Sequence, residues 1–82
     1  GVEVTGRVLT PDGRGLRNAT VTITDSKGVT RTAVTGSFGN YRFEDVEVGT
    51  YVLGGSERRY RFTSRVIQVT DSLTNVDLVG RE

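Results

Sequence analysis

The 82-residue chain contains no cysteine, no histidine, no methionine and no tryptophan. Without cysteine there is no disulfide and no thiolate ligand. Without histidine there is no imidazole metal site, and no histidine-based triad or acid–base pair within this chain. Ser37, Ser56, Ser64 and Ser72 therefore have no histidine base, and no lysine–serine spacing replaces one. Lys27 is the only lysine and Pro11 the only proline. No run of about 18 apolar residues occurs, which excludes a membrane-spanning helix, and no shorter apolar run of signal-peptide type is seen in these residues. The formal charge of +1 gives no global attraction to nucleic acid or to anionic lipid. With no methionine even at position 1, the chain reads as a processed product or a piece of a longer protein.

What is present is threonine, glycine and period-2 alternation. Twelve threonines and eleven glycines suit strands joined by tight turns. The stretch Gly36–Leu53 holds four of the six aromatics: Phe38, Tyr41, Phe43 and Tyr51. Tyr41 and Phe43 alternate with Asn40, Arg42 and Glu44, and Tyr51 and Leu53 repeat the pattern beyond Gly49. Aromatics bury the most area per residue, so the core is expected here. Between the two strands, Glu44–Val48 reads as a crossover loop with Val46 and Val48 tucked under the core edge.

The remaining strands follow the same logic. Val2–Leu9 puts Val2, Val4, Gly6 and Val8 on one side. An inward Gly6 implies a bulge or a close neighbouring backbone. Thr10–Gly13 is a turn, and Asn18–Asp25 a strand with Ala19, Val21 and Ile23 inward and Thr20, Thr22 and Thr24 outward. Asp25–Gly28 turns into Val29–Thr35, whose similar faces suit an edge strand. Thr63–Thr70 places Ile67 and Val69 inward. Leu73–Val79 places Val76 and Leu78 inward. No 3.6-residue periodicity appears. The expected fold is all-β: seven strands in an antiparallel Greek-key sandwich, forming one domain. The expected core is Val4, Val8, Val21, Ile23, Tyr41, Phe43, Tyr51, Leu53, Ile67, Val69, Val76 and Leu78.

Three groups are candidate sites. Arg58, Arg59, Arg61 and Arg65 form a basic cluster with Tyr60 and Phe62 interleaved, a pattern that grips phosphates, bases or glycans through charge and stacking. The plainer alternative is a solvated segment paired with acids such as Glu57, its aromatics plugging the core. Glu44, Asp45 and Glu47 are candidate calcium ligands, but they lack the Asp-x-Asp-x-Asp-Gly spacing of a calcium loop. Asn18-Ala19-Thr20 is an N-glycosylation sequon, with Asn18 the acceptor. No cofactor is expected and no catalytic residue is assigned.

Several segments together carry a family resemblance. Val4-Thr5-Gly6-Arg7-Val8 resembles the opening strand of the carboxypeptidase regulatory-like domain. Asp12-Gly13-x-Gly15-Leu16-Arg17-Asn18-Ala19-x-Val21 is similar to that family's "DG-x-G-hydrophobic-x-x-A-x-V" segment. Gly39-Asn40-Tyr41-Arg42-Phe43 is similar to "G-x-Y-x-F", and Val48-Gly49-Thr50-Tyr51-Val52-Leu53 to "P-G-x-Y-x-L". Two positions depart: Thr35-Gly36-Ser37-Phe38 stands where Thr-Asp often precedes the glycine, and Val48 where proline is usual. The resemblance implies a transthyretin-like (Ig-like) sandwich. It also implies a non-catalytic accessory module of a secreted or cell-surface bacterial protein. Partners would be neighbouring domains of the parent chain, copies of itself, or a surface glycan or protein. Related collagen-adhesin B domains carry Lys–Asn cross-links, and Lys27, in a hairpin turn, is poorly placed for one. A further expectation is fibre formation by edge pairing, with Val2, Val4 and Val8 as the row offered to a neighbour.

Overall fold

The alternating segment at the N-terminus becomes the middle strand of a three-stranded sheet. The computed structural model describes residues 1–82. Seven strands form in chain order: β1 Val2–Leu9, β2 Thr20–Thr24, β3 Thr30–Val34, β4 Asn40–Val46, β5 Gly49–Ser56, β6 Arg65–Val69 and β7 Leu78–Val79. One sheet has the order β4-β1-β7 and the other β3-β2-β5-β6. The hairpin β2–β3 crosses to β4, and the chain crosses back to β5, which lies beside β2. These are Greek-key connections between two packed sheets.

The four-stranded sheet is antiparallel and regular. Val21 pairs with Ala33 and Gly55, Ile23 with Arg31 and Leu53, and Tyr51 with Ile67. Because side chains alternate, these registers aim Val21, Ile23, Leu53, Ile67 and Val69 into the sandwich. Opposite them sit Val4 and Val8 of β1, and Tyr41, Phe43 and Val46 of β4. Ile23, Leu53, Val4, Val8, Val21, Val46 and Val69 are all but fully buried. Burial of each contributes on the order of 1.5–3 kcal/mol. Leu16, Ala19, Val76 and Leu78 close the ends of this core. Tyr41 and Phe43 meet edge to face with centroids 5.8 Å apart.

Several expectations are corrected. The sandwich is not antiparallel throughout, because β7 runs parallel to β1, pairing Val8 with Leu78 and Leu9 with Val79. The strand expected over Leu73–Val79 is broken. Leu73 exchanges backbone bonds with Glu3 and Thr5, Asn75 takes φ 58, and regular pairing resumes only at Leu78. The apolar positions Leu73, Val76 and Leu78 are not all two apart, so the extra residue is taken up at Asn75. Asparagine is among the few residues that tolerate this left-handed conformation.

The crossover between Tyr41 and Leu53 is shorter than expected. Strand β4 continues to Val46, which is buried, and only Glu47 and Val48 link the sheets. Val48 is 67% exposed rather than tucked in. Phe38 is 75% exposed at a turn tip, where Gly39 donates to the Gly36 carbonyl at 3.0 Å. Tyr51 is half-buried, and its hydroxyl donates to the Glu47 carbonyl at 2.8 Å. Val2–Val8 is no free row, since β1 is paired on both sides within the chain.

Gly6 faces inward because a backbone crosses it. A Cβ there would stand 2.0 Å from the Val76 carbonyl oxygen. Next to it the Tyr41 hydroxyl donates to that same carbonyl at 2.5 Å. Thus β4 is tied across β1 to the irregular segment before β7.

Candidate functional site

Strand directions sort the connections into two groups. Strands β1, β3, β5 and β7 finish at the same end at which β2, β4 and β6 begin. That end collects residues 10–19, 35–39, 57–64 and 80–82. The other end collects residues 25–29, 47–48 and 70–72. An eight-residue strand spans about 26 Å, so the long dimension of the 32 × 20 × 16 Å molecule runs from one end to the other.

The arginine–aromatic segment lies at the first end. Its backbone is fixed by a pair of 2.8 Å hydrogen bonds between Arg61 and Arg81. Arg58, Arg59 and Arg61 face solvent, whereas Tyr60 and Phe62 are half-buried against the core. Phe62 fills the space beside Gly55 and Gly80, where an added Cβ would come within 3.3 Å and 3.2 Å of its ring. Arginines and aromatics thus point to opposite sides. Only Tyr60 joins the two, with the Arg59 guanidinium over its ring at 5.6 Å from the ring centre. Glu57 accepts from the Arg59 amide at 2.7 Å and is only 9% exposed. The loop after β1 reaches this segment. Arg17 and Asn18 line an open concavity of about 490 Å³ together with Glu57, Arg58 and Arg59. Arg17 is more than forty positions from Arg59, so no local pattern links them.

Asn18, the sequon acceptor, is exposed and has φ 57, and its amide donates to the Thr35 carbonyl. It precedes β2 rather than starting it. The loop around it is held by Thr35, a buried threonine whose hydroxyl accepts from the Ala19 amide at 2.9 Å. That hydroxyl donates to the Leu16 carbonyl at 2.6 Å. Thr10 does the same work for the first turn, contacting Asp12 and accepting from the Arg14 amide. Neither threonine stands out in the alternation pattern, because each acts from a loop.

The acidic group lies at the opposite end. Glu44 and Asp45 end β4 and Glu47 follows, all exposed. The Asp45 carboxylate lies 3.1 Å from the terminal amine of Gly1. Arg31 donates to the main-chain oxygens of Glu44 at 2.7 Å and Asp45 at 3.4 Å, not to their carboxylates. No three acidic side chains converge as a cation would require.

The perturbed groups are structural. Burial pushes the Tyr41 phenol up to about 12. The nearby Asp77 carboxylate adds to this and Arg65 opposes it. The Thr10 hydroxyl holds Asp12 below the usual carboxylate range, with Arg14 assisting against partial desolvation. Glu3 raises Arg42 by hydrogen bond and charge, the pair meeting at 2.9 Å.

Two packed sheets with crossing connections define an Ig-like β-sandwich, and solved structures share it. The Bacillus anthracis TIE protein matches with TM-score 0.76 at 12% identity, over 96% of this chain and 16% of that one. BcpA, the major pilin subunit of Bacillus cereus, matches with TM-score 0.77 at 13% identity, over 96% and 28%. RrgA, the pilus adhesin from Streptococcus pneumoniae, matches with TM-score 0.66 at 19% identity, over 83% and 9%. The chain therefore spans less than a third of each of these proteins. No curated protein sequence matches it. The carboxypeptidase regulatory-like domain profile matches residues 3–79, and the chain belongs to that family.

Proposed function

We propose that this chain is a non-catalytic accessory module of a secreted or cell-surface bacterial protein, serving as a spacer, stalk or docking domain. The observation that carries this reading is how the side chains are used. The buried polar groups Thr10, Thr35 and Tyr41 are all spent on holding loops and strands. The one hydroxyl bonded to a carboxylate, Thr10 on Asp12, also holds the Arg14 amide and so closes a turn. Family membership and the recurrence of the fold as a fraction of longer proteins, a pilin subunit and a pilus adhesin among them, support it. Neighbouring domains of a longer parent would then be the immediate partners. The test is the purified chain by itself. It should melt cooperatively and show no hydrolysis of ester, phosphoester or peptide substrates above a protein-free control. Turnover that survives repurification would sink the reading.

A second reading is a self-associating subunit that pairs strand edges. It is favoured by the two free edges of the four-stranded sheet, where Val34 on β3 and Val66 on β6 are 63% and 66% exposed. Native mass tests it: particles that grow in high salt favour it, and a fixed 8.9 kDa species counts against it. A ligand-binding role for Arg58–Phe62 rests on the arginines alone, because Tyr60 and Phe62 are committed to the core. Loss of binding on a glycan array after Arg59→Ala and Arg61→Ala is its check.

A further inference from the structure

The near-neutral total charge conceals a separation along the molecule. At the end formed by residues 10–19, 57–64 and 80–82 stand Arg14, Arg17, Arg58, Arg59, Arg61 and Arg81, against Asp12, Glu57 and Glu82. Asp12 is spent on Arg14 at 3.3 Å and Glu57 on Arg59 at 3.4 Å. Arg17, Arg58, Arg61 and Arg81 have no carboxylate within 4.0 Å. At the opposite end stand Asp25, Glu44, Asp45, Glu47 and Asp71, against Lys27 and Arg31. The two concavities there are lined by Asp25, Asp45 and Glu47 with Arg31, and by Asp25 and Glu47 with Lys27. Asp25, Glu44, Glu47 and Asp71 have no cation within 4.0 Å. Four unpaired arginines at one end therefore face away from four unpaired carboxylates at the other.

We infer that the two ends are complementary docking faces for a second copy of this chain, the basic end of one molecule seating on the acidic end of the next. The partner is argued from charge: each end carries about what the other end of an identical molecule lacks. Such a contact is heterologous, so it leaves one basic and one acidic end free and propagates as a row. An end face on a molecule 20 × 16 Å across is small. The contact therefore falls among weak interfaces, below about 1,200 Å² in total. It sets orientation and rate more than affinity. The screening length falls from about 30 Å at 10 mM salt to about 8 Å at 0.15 M. The association is therefore salt-sensitive. It is also distinct from edge-strand pairing, which uses backbone groups that salt barely screens.

The test is sedimentation equilibrium of the full 82-residue chain at about 10 mM and about 0.15 M salt. It compares wild type with R17E/R58E and E47K/D71K, all four positions being exposed. Circular dichroism melts check folding, and R17Q/R58Q is the milder substitute if a reversal fails to fold. Wild type is expected to exceed its 8.9 kDa monomer mass at low salt. Its association constant should drop about tenfold or more at the higher salt. Each reversal variant alone should stay monomeric at low salt, and an equimolar mixture of the two should regain the higher mass. A wild type that is monomeric at low salt overturns the inference while leaving the module reading intact. Association that persists in salt and in both variants overturns it in favour of edge pairing. A mixture that stays monomeric overturns it too.

Discussion

In the four-stranded sheet the outward positions are Thr20, Thr22, Thr24, Thr30, Thr32, Val34, Thr50, Val52, Gly54, Ser56, Val66 and Gln68, without a single charge. The three-stranded sheet turns Glu3, Arg7, Arg42 and Glu44 outward instead. The contrast continues inside. The first sheet is an unbroken ladder whose registers follow from alternation. The second depends on single contacts: Gly6 under the Val76 carbonyl, Tyr41 bonded to that carbonyl, and the Arg7 amide donating to Asp77 at 2.9 Å. A regular ladder spreads its stability over many equivalent pairs, whereas an irregular one concentrates it in a few groups that cannot be exchanged. Substitutions should therefore be graded differently on the two sheets.

The sharpest break is Gly6→Ala. Its Cβ would meet a backbone oxygen at 2.0 Å, so β1 and the segment at Val76 must part. A loss of about 3 kcal/mol or more is expected in urea unfolding. The matched change on the other sheet, Gly54→Ala, meets the Thr22 hydroxyl at 3.1 Å and the Ser64 hydroxyl at an ordinary 3.8 Å. The Thr22 side chain can move, and the cost should stay within about 1 kcal/mol. Equal costs would mean that the two sheets do not differ in this way. Leu53→Ala, at a fully buried position of the regular sheet, should cost about 3 kcal/mol through the cavity it leaves. The slope of unfolding against urea should not change.

Tyr41→Phe comes next, at about 1 kcal/mol for the lost hydrogen bond. It also carries a pH signature. The folded phenol titrates at about 12, above its ordinary 10.0, so between those values the native state holds more protons than the unfolded one. Stability contributed by the neutral phenol is whole below pH 10 and is lost as pH rises towards 12. The phenylalanine variant should lack that decline, and an unchanged decline would assign it elsewhere. The smallest effect is expected for Thr22→Val on the uncharged face, within about 0.5 kcal/mol of wild type by thermal melting.

Sequence pattern and structure agree best where alternation is strict. Val21 and Ile23 between outward threonines, and Tyr41 and Phe43 between polar residues, could be assigned to the interior because period 2 leaves only two faces. Leu73–Val79 could not be read as a simple strand, because the kink at Asn75 shifts the alternation by one and only the partner strand reveals it. Phe38 misleads for a related reason. Aromatic character marks it for the core, but the turn closed by Gly39, at φ 83, aims it into solvent. Composition marked Arg58–Phe62 as one cluster, yet the backbone bridge to Arg81 splits it into an outward charged side and an inward aromatic side.

By itself, the order of residues determined the all-β class, the number of strands, most of the core and the absence of thiol and imidazole chemistry. These follow from side-chain type and from a periodicity that acts over neighbouring residues. Tertiary structure alone decided that β7 runs parallel to β1, that β1 is an interior strand, and that Arg17 joins Arg58 and Arg59 at one end. It also decided that the acids gather at the other end. Each of these depends on which distant segments the sandwich brings together, and a pattern that repeats every two residues carries no information about that.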